Sequence, residues 1–159
     1  MIETGYYAQK ELSIDNFLEL IKNPLWEENI DTMEEMYNNA QVFFNGSCHL
    51  FAYALNTIYG YNIIESRSLI CEAQCHYFCS TNIEDQILYL DVRGATTNRD
   101  EFFRGLGYKN EKEYKLITHS QIELDRDLFE DGAKFGYNFA KYIIQTCPQY
   151  YDLHVTKGG

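Results

Sequence analysis

The sequence predicts an α+β fold, in which a helix bearing a candidate nucleophile packs on a small antiparallel sheet, with further helices at both ends of the chain. Three features carry that prediction. Cys48, Phe51, Ala52, Leu55 and then Ile58 or Tyr59 fall at helical spacing, and Gly60 follows where a left-handed C′ residue is expected. Asn62 to Ile70, Cys75 to Thr81 and Gln86 to Val92 then read as strands, with Asn82 to Asp85 as a hairpin connection. Helical patterns return near both termini. With 159 residues, 45% of them hydrophobic and 16% aromatic, the chain suffices for one domain with its own core. No repeat, low-complexity segment or linker divides it. Residues 1–159 are therefore read as a single unit, made of an acidic helical part (1–40), a central core (41–94) and a helical C-terminal part (95–159).

In chain order, Ser13 can cap a helix running to Asn23, with Phe17, Leu18, Leu20 and Ile21 as its apolar stripe and Pro24 as its stop. Asp31 followed by Glu34 reads as the start of a second helix, Thr32 to about Ala40. Gln41-Val42-Phe43-Phe44 is expected to be a short extended approach. The turn Asn45-Gly46 then leads to Ser47, an N-cap residue type, and to a helix from Cys48 to about Tyr59. After the three strands, Thr97 or Asn98 is placed to cap a short helix around Asp100 to Leu106. Glu113 to His119 reads as another strand. A long helix is expected from Asp127 to Thr146, in which Gly132 and Gly136 either weaken it or mark close packing, and Pro148 ends it.

Charge and cysteine content exclude several functions. The net charge of −11 argues against direct nucleic-acid binding, because phosphates would be repelled. Nine acidic residues stand against Lys10 and Lys22 in Met1 to Ala40, which carries −7 of that charge. A solvated face explains this, and so does a docking surface for a basic protein partner. Five cysteines in no small-scaffold spacing, with no signal-like start and no apolar run long enough for a membrane span, point to a reducing cytoplasm.

The residues that suggest chemistry follow from the central helix. At its first position Cys48 meets free backbone N–H groups and the positive end of the helix dipole, both of which favour a thiolate, the nucleophilic form. His76 lies on one expected strand and Asp91 on the next, so the two can meet across the hairpin. In that arrangement His76 takes the thiol proton and Asp91 orients the ring. Arg93 is a competing, purely structural partner for Asp91. The Cys48 N–H needs a second oxyanion donor, for which Gln41 and Asn45 are the candidates. Cys71, Cys75, His76 and Cys79 do not make a metal site on this reading. In a continuous strand positions 71, 75 and 79 share one face and 76 takes the other, and no second ligand pair follows at zinc-finger spacing. His49 is read as a rim residue, and His119 and His154 have no assigned partner. No cofactor is called for. The alternative is a non-enzymatic acidic inhibitor or adaptor binding its basic partner through the N-terminal third.

The order of elements from Gln41 to Gly94 resembles the core of the papain-like, and more closely the transglutaminase-like, cysteine hydrolases. The match consists of helix-initial Cys48, the aromatic-plus-small pair Phe51-Ala52, Gly60, strand His76 and next-strand Asp91. The chain departs from that pattern in having no Trp beside Cys48. The resemblance implies a Cys-His-Asp triad and thiol acyl chemistry on a peptide or carboxamide bond, as in a protease, a deamidase or a transglutaminase-like enzyme. Its substrate would be a protein, a peptide or a small amide.

Overall fold

The computed structural model describes residues 21–22, 37, 39–44, 46–71, 73–121 and 133–153. They form an α+β unit built on a five-stranded, wholly antiparallel sheet. A 3-10 turn, Ala40–Phe43, precedes helix α1, Cys48–Tyr59. Strands β1 (Asn62–Ser68), β2 (Cys75–Ile83), β3 (Gln86–Asp91) and β4 (Gly94–Thr96) follow. The chain continues through helix α2 (Arg99–Arg104), strand β5 (Tyr114–His119), helix α3 (Ala133–Thr146) and the short helix α4 (Pro148–Tyr151). In space the strand order is β4-β3-β2-β1-β5. Among the described residues no helix is long and apolar enough to cross a membrane.

Helix α1 has the bounds that its spacing predicts. Gly60 ends it at φ 79°, a left-handed conformation open to glycine at little cost, and its N–H donates to the Asn56 carbonyl. The β2–β3 hairpin is tighter than expected. Ile83 pairs with Gln86, so only Glu84 and Asp85 form the loop, both with positive φ. Two left-handed residues match the twist of the flanking strands, and β2 consequently extends beyond Thr81 to Ile83. Asn98 caps α2 by accepting from the Glu101 N–H.

Several expectations are corrected. Gln41-Val42-Phe43 is a 3-10 turn, not an extended approach, because the Asn39 side chain accepts the Gln41 N–H and starts the turn. Lys22 and Asn39 pair in an antiparallel bridge, so neither continues the helices expected over Ser13 to Asn23 and Thr32 to Ala40. The remainder of those helices lies outside the described residues, as does the 127–132 part of the C-terminal helix. Pro148 does not simply end the chain's last helix. It starts α4, where the missing proline N–H costs nothing at a first helical position. The strand expected over Glu113 to His119, by contrast, is present as β5, which pairs along β1.

Both faces of the sheet are covered, by different means. One face and α1 and α3 share a core that includes Phe43, Phe51, Leu55, Ile63, Cys79, Leu90, Phe139 and Ile143. The other face carries an aromatic cluster of Phe78, Tyr89, Phe102, Phe103, Tyr108 and Tyr114. Phe103 and Tyr114 stack within it at 4.3 Å between ring centroids. Two buried tyrosines tie the C-terminal segment to this frame. Tyr61 Oη donates to the Tyr151 carbonyl at 2.9 Å and accepts the Leu153 N–H at 2.9 Å. Tyr151 Oη in turn donates to the Val92 carbonyl at 2.7 Å. That last bond fixes the turn between Asp91 and Arg93, where the candidate site lies.

Candidate active site

Cys48 opens α1, and the chain before it is folded back on the helix start. Ser47 N–H donates to the Val42 carbonyl at 3.0 Å, and Leu50 N–H to the Ser47 carbonyl at 3.1 Å. Ser47 holds the N-cap position but makes no side-chain capping bond, contrary to its residue type. Its backbone is not in the extended region that swings a hydroxyl over the first turn. The Ser47–Val42 bond sets the 3-10 turn, and Gln41 with it, against the start of α1. Gln41 itself is half-buried. Asn45, the other oxyanion candidate, lies outside the described residues.

The Cys48 sulfur is held against β2. Sγ accepts the Tyr77 backbone N–H at 3.3 Å. The β2–β3 ladder runs only as far as Cys79↔Leu90, so at Tyr77 the thiol takes the place of a strand partner. Continuing that register puts Asp91 opposite Phe78, and His76 two residues further along the same face. His76 and Asp91 are thus diagonal neighbours, and His76 Nε2 meets Asp91 Oδ2 at 3.0 Å. Tyr77 directly follows His76 in β2, so the thiol it binds lies beside the imidazole, and its influence is felt in the ring's raised pKa. The three residues named from the sequence are therefore contiguous, with 7%, 6% and 2% of Cys48, His76 and Asp91 exposed.

Aromatic rings wall the imidazole: Phe44 at 5.8 Å, with Phe78 and Phe102 each at 6.4 Å between centroids. Burial alone would lower the His76 pKa. The hydrogen bond to Asp91 and the interaction with Cys48, with the negative charge of those partners, outweigh it and push the ring up to about 9. Burial would likewise raise Asp91, but the Arg93 charge and the bonds from His76 and Arg93 hold its carboxyl well below the usual range. Arg93 and His76 are thus joint partners of Asp91, not rivals. Arg93 Nη2 lies 2.7 Å from Asp91 Oδ2, and its backbone N–H donates to Oδ1 at 2.9 Å.

A second polar group on the α1 side of the sheet escaped the sequence reading. Glu65, 2% exposed, bonds His119 Nε2 at 2.8 Å and the Arg67 fork at 3.1 and 3.2 Å. Burial raises Glu65, and the bonds from Arg67 and His119 overcome it, so the carboxyl is lowered. His119 therefore has a partner, while His154 lies outside the described residues. The available signal was an acidic residue in phase with Ile63 on the buried face of a strand. Tyr77 adjoins this group, its ring 5.3 Å from His119 and 6.2 Å from His49, which is half-buried. Its hydroxyl is pushed up to about 12, chiefly by burial and then by the charges of Glu65, Cys75 and Cys48. Glu65, Arg67, Ser68, Leu69, Cys75 and Lys115 line a cavity of about 580 Å³ on this side.

The expected buried face of three cysteines holds only for Cys79, whose thiol donates to the Ala52 carbonyl at 3.2 Å. Cys71 lies past the end of β1, and Cys75 begins β2; both are exposed. Among the described residues no cluster of three or more His, Cys, Asp or Glu side chains could hold a metal ion. No protein-family model, no curated protein and no solved structure matches this chain.

Proposed function

We propose that this protein is a thiol-dependent hydrolase or acyl-transfer enzyme acting on a peptide or carboxamide bond, with a papain-like or transglutaminase-like core. The observation that carries the reading is the meeting of three side chains: His76 Nε2 bonds Asp91 Oδ2, and Cys48, at the first position of a helix, has its sulfur on the backbone N–H of Tyr77, the residue next to His76. Asp91 engages Nε2, which leaves Nδ1 for the thiol proton.

In the proposed reaction the Cys48 sulfur attacks the substrate carbonyl carbon and its proton resides on His76. The oxyanion that forms faces the first turn of α1, where the N–H groups of Cys48 and His49 have no intrahelical carbonyl to bond. Gln41, next in the chain to the Val42 that Ser47 binds, is the candidate second source of a donor. Collapse of the tetrahedral intermediate expels the amine, which takes the proton from His76, and leaves a thioester on Cys48. Water or an acceptor amine, deprotonated by the now neutral His76, attacks that thioester and regenerates the thiol. Asp91 keeps the ring aimed throughout and remains ionised.

An activated acyl ester tests this before any natural substrate is known. With p-nitrophenyl acetate the native chain is expected to release a burst of nitrophenolate and to carry an acetyl group on Cys48 by peptide mass spectrometry. Cys48→Ala should give neither, and His76→Ala should slow the burst by about 10³-fold or more. Acetylation spread over exposed Cys71 and Cys75, with Cys48 unmodified, would refute the proposal.

A further inference from the structure

Behind the carboxylate lies a buried cation to which the mechanism above gives no part. Arg93 is 4% exposed, and its guanidinium carbon lies 4.8 Å from the centroids of both the Phe44 and the Phe102 rings. Nη1 and Nη2 each donate to the Phe102 carbonyl at 3.4 Å. Gly105 leaves the space it needs, since a methyl group there would collide with Nη1. Asp91 then receives the Arg93 backbone N–H at 2.9 Å, Nε at 3.0 and 3.1 Å, and Nη2 at 2.7 Å. Such a fork fixes the plane of a carboxylate as well as its position.

The charge balance of the site depends on this residue. Among the described residues, the titratable groups facing His76 are Cys48 from α1 and Asp91 from β3, with Arg93 behind Asp91 in the β3–β4 turn, and the rings of Phe44, Phe78 and Phe102 also neighbour it. With Asp91 negative and Arg93 positive, the buried site is neutral when Cys48 is a thiol and His76 an imidazole. It is still neutral after the proton crosses to give thiolate and imidazolium. It is neutral once more in the thioester, when His76 has given its proton away. Without Arg93 the buried Asp91 would have only the imidazolium as counter-charge, and the ring would hold its proton when the leaving group needs it.

We propose that Arg93 is a positioning residue, which clamps Asp91 and balances its charge so that His76 is free to gain and lose a proton. The inference rests on the reading of Cys48 and His76 as the reacting pair, yet its test does not use the thiol. In ¹⁵N-labelled Cys48→Ala protein the His76 ring is followed by NMR as a function of pH. Adding Arg93→Met should raise the pH at which the ring loses its proton by about one unit or more, because Asp91 then lacks any other counter-charge. Arg93→Lys, which keeps the charge, should bring the midpoint most of the way back. An unchanged or lowered midpoint in Arg93→Met would overturn the proposal. Should that variant not fold, Arg93→Gln keeps a donor for Asp91 without the charge and is read in the same way. Failure of the acyl-transfer reading would instead appear as an unreactive Cys48 in the native chain, with the Arg93 effect on the ring intact.

Discussion

His76 is the residue whose protonation links the site to the stability of the fold. Its pKa rises from an ordinary value near 6.5 to about 9 on folding. A group raised in this way binds its proton more tightly in the native state. Its stabilisation is therefore complete below about pH 6.5, declines above it and is lost as pH passes through about 9. Asp91 works in the opposite sense, since its depressed pKa gives stability above the normal carboxylate range that is lost as pH falls. Urea midpoints of the native chain are thus expected to fall between pH 7 and about 9.5, and His76→Gln should flatten that alkaline limb. An equally steep limb in His76→Gln would assign it to other groups. That Cys48, His76 and Asp91 would meet was legible because a helix-initial Cys and then His and Asp on successive strands fall where the hairpin and the helix start converge. Arg93 was legible only as an available partner for Asp91, because sharing one carboxylate between two cations depends on a diagonal register that spacing does not give. The Glu65–His119 pair joins residues 54 apart on β1 and β5; the phase of Glu65 with Ile63 marks a buried carboxylate but does not name its partner.

Among the elements, α3 and α1 meet through a glycine. A methyl group on Gly136 would run into the Tyr37 ring and come within 2.8 Å of Leu50 Cδ1. Alanine is the better helix former by about 1 kcal/mol, so an open site would gain stability from the change. Here the overlap wins, and Gly136→Ala is expected to destabilise by about 1–3 kcal/mol, readable as a lower urea midpoint. A higher midpoint would mean that the α1–α3 contact yields without cost. The sequence allowed two readings of this glycine, a weak point or a close approach, and packing decides for the second. Helix α1 was predictable to its ends because a 3.6-residue stripe and a C′ glycine both mark it. The approach to it was misjudged because the apolar run Val42-Phe43-Phe44 suits a strand. The Asn39 side chain, acting on the Gln41 N–H, imposes a 3-10 turn instead.

For the molecule as a whole, −11 charges on 159 residues set up a self-repulsion that folding must overcome. Salt screens it, so the urea midpoint is expected to rise between about 10 and 200 mM NaCl, where the Debye length shrinks from about 30 Å to below 10 Å. A falling midpoint would show that surface ion pairs outweigh the repulsion. The α+β class was legible from the alternation of one strong helix with three strand patterns. The strand order was not, because the return of β5 to the far side of β1 is a long-range pairing. Cover on the second sheet face was also hidden, since Phe102 and Phe103 of α2, Tyr108 of the loop after it and Tyr114 of β5 look like unrelated aromatics until the fold gathers them with Phe78 and Tyr89.

The most direct test of the central claim is the rate of iodoacetamide labelling at each cysteine, resolved by peptide mass spectrometry at about pH 6, where an ordinary thiol near 8.5 is almost wholly protonated. Cys79 and Cys147 should stay unlabelled, because both are buried and burial pushes their thiols up. Cys48 is as buried as Cys147, so packing alone would leave the two alike. The account predicts that Cys48 reacts faster than exposed Cys71, and that His76→Ala abolishes this lead. A Cys48 no more reactive than Cys147, or one indifferent to His76, would contradict it.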